Sequence, residues 1–205
     1  MSSCLAVGQL VYTAICYDHG GMIDDGTLFR FSETEFQLCC QEPQYSWLHD
    51  VAWGFDVTIE DQSDTIAGLA LQGPTSFALL KEAGFDGVEN LKPFGIMDVE
   101  PGLKISRTGF TGDLGYELWV DASKADALWE RLWPAGRNYG LRPIGSDALD
   151  MARIEAGFIA ARVDFQPIHG AQRPSRGAAG ARAATTRRWP RTALRRWPLP
   201  PPRGR

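Results

Sequence analysis

The 205-residue sequence predicts an α+β fold, in which antiparallel sheets pack against separate helices. Residues 9–39 contain short runs of β-branched and aromatic side chains divided by polar turns, which is typical of an antiparallel meander. A helix over residues 147–156 is predicted because Ser146 is a favoured N-cap and Gly157 a favoured helix end. With 44% hydrophobic and 11% aromatic residues, the chain can build a core, so a wholly disordered protein is not expected.

The first elements form the predicted meander. Residues 9–17 read as a strand, and the paired glycines within residues 18–21 permit a tight turn. A short return segment ends at residues 24–26, and residues 27–31 and 35–39 predict further strands. The expected sheet therefore has three or four strands.

The middle of the chain alternates between helix and strand patterns. Residues 43–53 predict a helix and residues 56–60 an alternating strand. The continuous apolar run at residues 65–71 favours a buried strand. Thr75 is the expected N-cap of a helix that runs to about Lys81.

A second strand pair is predicted at residues 103–107 and 115–120, around the glycine-containing turn at residues 108–113. A helix then begins at Asp121 or Ser123 and runs to about residue 133. Four side chains form its predicted apolar face: Leu128, Trp129, Leu132 and Trp133.

The net charge of −4 hides two unlike segments. Residues 1–170 hold 11 Lys and Arg and all 25 Asp and Glu, a formal charge of −14, whereas residues 171–205 hold ten Arg and no acid. This low-complexity tail is expected to be disordered. Its composition favours the translation of a shifted reading frame, while a basic arm with interleaved Trp that binds nucleic acid is the weaker alternative.

Several protein classes are excluded by simpler features. No run of about 18 apolar residues exists, so a transmembrane helix is not expected, and the N-terminus lacks the basic start of a secretory signal. The four cysteines form no C-x-x-C pair and only three histidines occur, so no zinc site is expected. Buried free thiols in a reducing compartment are the preferred interpretation, which predicts a cytoplasmic protein.

Three places combine special backbone with ionisable side chains. In the first, Asp24 and Asp25 follow Gly20-Gly21 and point to opposite faces if they lie on a strand. Either they are solvated turn acids, or one is a buried carboxylate that holds a cation or accepts a proton.

The second place is the glycine-containing turn at residues 108–115, which permits close approach of a ligand. Glu117 follows it within an apolar strand. It is either a surface-facing residue or a carboxylate that accepts two parallel N–H bonds, as an amidine-like edge of a pterin would offer.

The third place is a predicted helix in which Asp150 and Arg153 share one face. The two side chains either pair with each other, or Arg153 turns to an anionic or carbonyl ligand.

The order and wording of these motifs resemble the T-protein of the glycine cleavage system, an aminomethyltransferase, and its wider family of tetrahydrofolate-dependent demethylases. The match spans about residues 8–170. The segments that carry it are Tyr12 with GGMIDD (20–25), LALQGP (69–74), TGFTGDLGYE (108–117) and RIEAG (153–157).

The resemblance implies a three-domain, cloverleaf-like fold with folate in a central opening. It assigns Asp24 as the catalytic carboxylate near the reacting nitrogens of the folate. Tyr12, Glu117 and Arg153 are implied folate contacts. Tetrahydrofolate is the implied acceptor, the donor is a small-molecule amine or methyl donor, and a lipoyl-bearing H-protein is a candidate partner.

The resemblance predicts a fragment, because the family's first-domain segment before Gly8 is missing and the basic tail stands where a C-terminal domain is expected after Gln166-Pro167. Gly26-Thr27-Leu28-Phe29-Arg30 replaces an aliphatic run and looks closer to the demethylase-like relatives. We expect residues 1–41 to be a remnant of the first folate-binding domain, 42–140 a second α+β domain, 141–170 a return helix toward the folate site, and 171–205 the basic tail. The expected activity of this chain alone is little or none.

Two other functions remain open at this point. One is a folate-binding module without transferase chemistry, although the Lys-Gly-Cys-Tyr-x-Gly-Gln-Glu motif of such relatives is not found in the sequence. The other is nucleic-acid binding by the basic tail.

Overall fold

The structure is a computed structural model and describes residues 5–168. Cys4 and the basic tail of residues 171–205 lie outside the described residues. Within these, seven strands form: β1 Gln9–Cys16, β2 Met22–Arg30, β3 Phe36–Cys40, β4 Ile66–Gln72, β5 Ile96–Glu100, β6 Leu103–Ser106 and β7 Gly115–Asp121. The α-helices of the same range are α1 Tyr45–Val51, α2 Ser76–Glu82, α3 Ala125–Gly136 and α4 Ser146–Ala156. The predicted α+β class is confirmed.

The first sheet is an antiparallel meander in the order β1-β2-β3. Its register places Tyr12 opposite Thr27, and Thr27 opposite Cys39. Because side chains alternate across a strand, these three residues share one face of the sheet. Phe29 lies on the same face and is 1% exposed, so this face is covered around Phe29, whereas Tyr12 and Cys39 on it are exposed.

The second sheet is antiparallel in the order β4-β7-β6-β5 and packs one face against α2 and α3. Ile105 and Leu118 on that face are completely buried. Burial of such a side chain contributes about 1.5–3 kcal/mol to stability. The core also contains Leu79, Leu80, Phe85, Tyr116, Leu128 and Leu132.

The other face of the second sheet meets the first sheet. The rings of Phe29 and Trp119 contact edge to face, with centroids 5.2 Å apart. A single bridge joins Gln9 to Gly95, so the two sheets are also linked through backbone. Alternate residues of β7 therefore face two environments: Leu118 faces the helices, and Glu117 and Trp119 face the first sheet.

Several predicted elements are wrong in detail. Residues 24–26 do not end a segment, because β2 runs without a break from Met22 to Arg30 and pairs with both neighbours. Residues 56–60 form no strand. The apolar run at residues 65–71 does form β4, but at an edge of the sheet, where only Leu71 is buried. Strand β5, with its alternating charged residues, was not predicted.

The helix ends also differ from the predictions. Thr75 occupies the N-cap of α2 without a side-chain capping bond, and Ser146 is the first residue of α4 rather than its cap. Gly157 ends α4 with φ 85°, as predicted. On α3, Trp129 is 40% exposed, so the predicted apolar face is only partly buried.

The cysteines are free but not buried as predicted. Cys16 and Cys39 are exposed and Cys40 is half-buried.

Over residues 5–168, no helix has both the length and the apolar character that a membrane crossing requires.

Candidate functional site

Asp24 and Asp25 lie on the central strand of the first sheet and point to opposite faces, as predicted from strand geometry. The Asp25 carboxylate accepts a short hydrogen bond from the phenol of Tyr12. Tyr12 is 47% exposed and Asp25 7% exposed, so the pair lies at the edge of a buried region. Desolvation, the hydrogen bond to Asp25 and the charges of both aspartates raise the pKa of Tyr12. Tyr12 therefore stays a neutral donor.

Asp24 is completely buried and its two oxygens accept three hydrogen bonds. Oδ1 accepts from the backbone N–H of Asp25 at 2.9 Å. Oδ2 accepts from the backbone N–H of Glu42 at 3.0 Å and from Nε2 of Gln44 at 3.2 Å. These bonds hold the chain between β3 and α1 against the central strand.

Glu117 is half-buried on the face of the second sheet that meets the first. Its Oε2 accepts a hydrogen bond of 2.5 Å from Thr108 Oγ1. Ser106 Oγ lies 2.8 Å from Thr108 Oγ1 and accepts from Trp119 Nε1 at 3.2 Å. Because the single proton of Thr108 goes to Glu117, Ser106 must donate to Thr108, and the chain of bonds has one direction.

The environment of Glu117 favours its protonated form more than water does. Burial raises the pKa of this carboxyl, and the hydrogen bond from Thr108, with the Ser106 hydroxyl behind it, partly opposes the change. Glu117 also acts on Cys39, whose thiol pKa is raised by desolvation and then by the Glu117 charge, although Cys39 presents part of its surface to solvent. Cys39 lies on the same sheet face as Tyr12, so Glu117 faces the Tyr12 side of the first sheet.

The turn before Glu117 is filled by a side chain from another strand. Gln72, the last residue of β4, donates from Nε2 to the carbonyl oxygens of Thr108 and Tyr116, both at 3.2 Å. Its Oε1 accepts from Thr111 Oγ1 at 3.1 Å. A side chain at Gly109 or Gly115 would overlap the Gln72 amide.

Arg153 is 1% exposed and its bonds stay within its own segment. Nε donates to Asp150 Oδ1 at 2.6 Å, and Nη1 donates to the Phe158 carbonyl at 3.1 Å and to the Asp164 carboxylate. Nη2 lies 2.6 Å from Asp150 Oδ1 as an ion pair but is buried without a hydrogen bond of good geometry. Desolvation lowers the pKa of Arg153, but the bonds to the two aspartates outweigh it and raise the pKa overall. The simple Asp150–Arg153 pair of the sequence analysis is present.

The structure thus brings two of the four predicted residues to one interface. Tyr12 and Glu117 lie on the faces of the two sheets that meet. Asp24 lies on the reverse face of the first sheet, and Arg153 lies on α4. None of the four predicted residues lines the cavity of about 380 Å³ beside Trp119.

Sequence reasoning missed several members of the site: Asp25 as the partner of Tyr12, Gln72, Ser106 and Thr108. Ser106 and Thr108 carried a signal, because hydroxyl residues two positions apart at the end of a strand share the side on which Glu117 lies. Gln72 lies in the LALQGP segment of the family resemblance, but nothing in the sequence indicated its partners, which are 36 to 44 positions distant in the chain.

Comparison with known proteins gives the site its context. The GCVT N-terminal domain family matches residues 2–172. The trimethylamine-oxide aldolase of Ruegeria pomeroyi is 40% identical over 175 residues, which cover 78% of this chain and 22% of that protein. The aminomethyltransferase of Bacillus subtilis is 40% identical over 162 residues, which cover 75% of this chain and 44% of that protein.

A solved structure of an aminomethyltransferase also matches this fold. The glycine cleavage system aminomethyltransferase T from Bartonella henselae matches with a TM-score of 0.69 and 30% identity, over 80% of this chain and 45% of that one. The chain spans less than half the length of each of these three relatives. With a family match over most of its residues, the chain belongs to the GCVT N-terminal domain family of aminomethyltransferase-like proteins.

Proposed function

We propose that this chain contributes to an enzyme that transfers a one-carbon unit from an amine or methylated small molecule to tetrahydrofolate. The observation that carries the proposal is Glu117. This carboxylate is half-buried, is oriented through Oε2 by Thr108, and faces the sheet that holds Tyr12. Family membership supplies the reaction class.

The hydrogen-bonding groups of the proposed contacts match the pterin end of a folate. A carboxylate keeps acceptor positions beside the one that Thr108 uses, and adjacent N–H groups of a pterin edge match them. Glu117 is therefore the proposed pterin contact. Tyr12, held neutral by Asp25 and half exposed, is the proposed second contact. Arg153 is proposed as the third from the family resemblance alone, since it is buried and bonded within its own segment.

Asp24 is the proposed catalytic carboxylate. Tetrahydrofolate, when bound, supplies the nucleophilic nitrogen. Positive charge develops on the one-carbon unit as it leaves the donor nitrogen, and a fixed carboxylate stabilises such charge. A carboxylate could also orient or accept the proton that the attacking nitrogen loses. In this structure Asp24 is completely buried, accepts bonds from Glu42 and Gln44, and lies on the face of the first sheet opposite Tyr12, so its proposed role rests on the family resemblance and not on this geometry.

The proposals for the one-carbon donor, the cellular location and the domain division come from other observations. The name of the Ruegeria relative favours a methylated amine, and the aminomethyltransferase relatives favour a lipoyl-bearing H-protein as the alternative donor. The three free cysteines among the described residues support a cytoplasmic location. We propose residues 1–41, 42–140 and 141–170 as parts of different family domains, since the first sheet lies in the first range and α4 in the last.

Binding of 5-formyltetrahydrofolate, a stable reduced folate, tests the proposal by calorimetry with the full 205-residue chain. Glu117→Gln should weaken binding about 10- to 100-fold, because a charge-assisted bond contributes about 1.5–3 kcal/mol. Glu82→Gln, an exposed glutamate on α2, is the matched control and should bind as the wild type does. Absence of binding by the wild type, or equal binding by Glu117→Gln, would refute the proposed site.

Turnover is a separate measurement. Because the chain spans less than half of its relatives, we expect little or no demethylation of dimethylglycine and little release from an aminomethylated H-protein by the chain alone. A rate typical of a complete enzyme would contradict this expectation.

A further inference from the structure

Gln72 joins two segments that are distant in the chain. It ends the edge strand β4 and pairs with Gly115 at the start of β7. Gly73, the next residue, has φ 120°, a conformation that turns the chain away from the sheet and that glycine adopts readily. The Gln72 side chain is left across the open end of the sheet, beside the turn that connects β6 to β7.

The side-chain amide uses both of its ends there. Nε2 donates its two protons to the carbonyls of Thr108 and Tyr116, and Oε1 accepts from Thr111. An amide has two donors and an acceptor with two lone pairs, so both donors are satisfied. Replacement by Leu or Met would leave two carbonyls and a hydroxyl without this partner.

The backbone around the amide is shaped for it. A Cβ added at Gly109 would lie 2.6 Å from Gln72 Nε2, and one at Gly115 would lie 2.5 Å from it. Both positions therefore need glycine for as long as the glutamine is in place. The Gln72 amide therefore explains why glycine occupies positions 109 and 115, without a ligand in direct contact with them.

We propose that Gln72 is a positioning residue for Glu117. It fixes the carbonyl of Thr108, whose hydroxyl donates to Glu117 Oε2, and the carbonyl of Tyr116, which forms the peptide bond to Glu117. The amide thus holds Glu117 from two sides without contact to its carboxylate. The inference rests on the proposed function in that Glu117 is the carboxylate that meets the amidine edge of the ligand.

Two volume-conserving variants separate positioning from simple space filling. Gln72→Met keeps the bulk and removes every hydrogen bond. Gln72→Glu also keeps the bulk, but its ionised carboxylate faces two carbonyl oxygens, and only its protonated form can donate again. Gln166→Glu, an exposed glutamine outside the site, is the matched control.

The first readout needs no ligand. Hydrogen exchange measured by mass spectrometry on residues 108–117 should quicken at least tenfold in Gln72→Met, since the turn loses three hydrogen bonds and the loss of one or two already corresponds to about that change. Protection of α2 and α3 should stay as in the wild type. Unchanged exchange in residues 108–117 would overturn the inference.

The second readout is affinity for 5-formyltetrahydrofolate between about pH 5 and pH 8, expressed as the ratio of variant to wild type. Gln72→Met should lower affinity about tenfold at every pH. Gln72→Glu should lower it at pH 8 and approach the wild type as the pH falls and the new carboxyl takes up a proton. A space-filling residue would give no such pH dependence, so a flat, wild-type-like ratio for both variants would overturn the inference.

The two readouts distinguish this inference from the proposed function. If the wild type binds no folate, the proposed function fails, and exchange in residues 108–117 alone decides the role of Gln72 in fixing the turn. If Gln72→Met does not fold, Gln72→Glu at low pH takes its place, and protection of residues 108–117 that equals the wild type's at every pH in that variant would then refute the role.

Discussion

Replacing Asp24 by asparagine should destabilise the protein strongly, before any effect on chemistry is considered. The carboxylate is completely buried and accepts from two backbone N–H groups, those of Asp25 and Glu42, and from the side-chain amide of Gln44. Asparagine has nearly the same shape but only one acceptor oxygen. Whichever way the new amide turns, one backbone N–H is left facing a donor.

The magnitude follows from the three bonds. A hydrogen bond to a charged acceptor contributes about 1.5–3 kcal/mol, and an unsatisfied buried donor costs about 1–3 kcal/mol. Gln44 can rotate its amide to accept from the new side chain, so that bond is weakened rather than lost. We therefore expect Asp24→Asn to lower the free energy of unfolding by about 2–4 kcal/mol, a large part of the 5–15 kcal/mol typical of a domain. Asp24→Ala should cost more, since all three donors lose their partner.

Urea denaturation followed by circular dichroism measures this directly. Asp56→Asn is the matched control, because Asp56 is exposed, and it should change the free energy of unfolding by less than about 0.5 kcal/mol. A loss in Asp24→Asn that is no larger than in the control would show that the three hydrogen bonds do not hold the carboxylate. Any activity lost in Asp24→Asn must therefore be compared at temperatures where both proteins are fully folded.

Three further predictions concern the turn and its carboxylate. Thr108→Val should raise the pKa of Glu117 further, because a bond that opposes desolvation is lost. The pKa of Glu117 is higher in the folded than in the unfolded protein, so the stability that Glu117 contributes is present at low pH and lost as pH rises through the folded pKa. Thr108→Val should therefore lower the free energy of unfolding more at about pH 7 than at about pH 4, as measured by urea denaturation. Glu117→Gln removes this pH-linked loss, and relative to the wild type it should be more stable at about pH 7 than at about pH 4; a pH-independent difference would contradict both predictions. Gly112→Ala should lower the free energy of unfolding by about 1–3 kcal/mol, since the new Cβ lies 2.5 Å from the Ala156 Cβ at φ 74°, whereas Gly54→Ala, at φ 87° in open space, should lose less; equal losses would show that the contact is not tight.

The segments with a strong local signal were the predictable part of the fold. Runs of β-branched and aromatic side chains marked β1 and β3, the glycine-containing turn marked β6 and β7, and Gly157 marked the end of α4. The alternation at residues 56–60 misled, since no strand forms there. Errors arose where tertiary pairing overrides local signal. Asp24-Asp25-Gly26 has the composition of a turn, yet it lies within β2. All three residues pair with β1, Gly26 also pairs with β3, and Tyr12 and Gln44 donate hydrogen bonds to the two carboxylates.

The sequence supplied candidate site residues but not the geometry that relates them. Strand alternation correctly separated the directions of Asp24 and Asp25, but it could not say which one would meet Tyr12. That choice depends on the register between β1 and β2, in which Tyr12 lies diagonal to Asp25. Register is a property of two strands together, so neither strand's sequence contains it.

The motifs that carry the family resemblance are physically coupled, which explains why they occur together. The turn around Gly112 packs on the end of α4, and the rings of Phe110 and Phe158 lie 5.2 Å apart. Beyond α4, Arg162 donates to the Glu42 carboxylate at 2.8 Å, and the backbone N–H of that same glutamate donates to Asp24.

A substitution in one of these motifs should therefore change the stability of the contacts in the others. Asp24 is held by the segment that Arg162 holds, and Glu117 is held by the turn that Gln72 and α4 hold. Substitutions of residues in contact are non-additive in free energy. A variant at Gln72 should therefore couple to one at Glu117, and a variant at Arg162 should couple to one at Asp24. Conversely, substitutions at Asp24 and Glu117, which share no partner residue, should add in free energy. A large coupling energy between those two would mean that the sheets transmit strain directly, through the contact of Phe29 with Trp119.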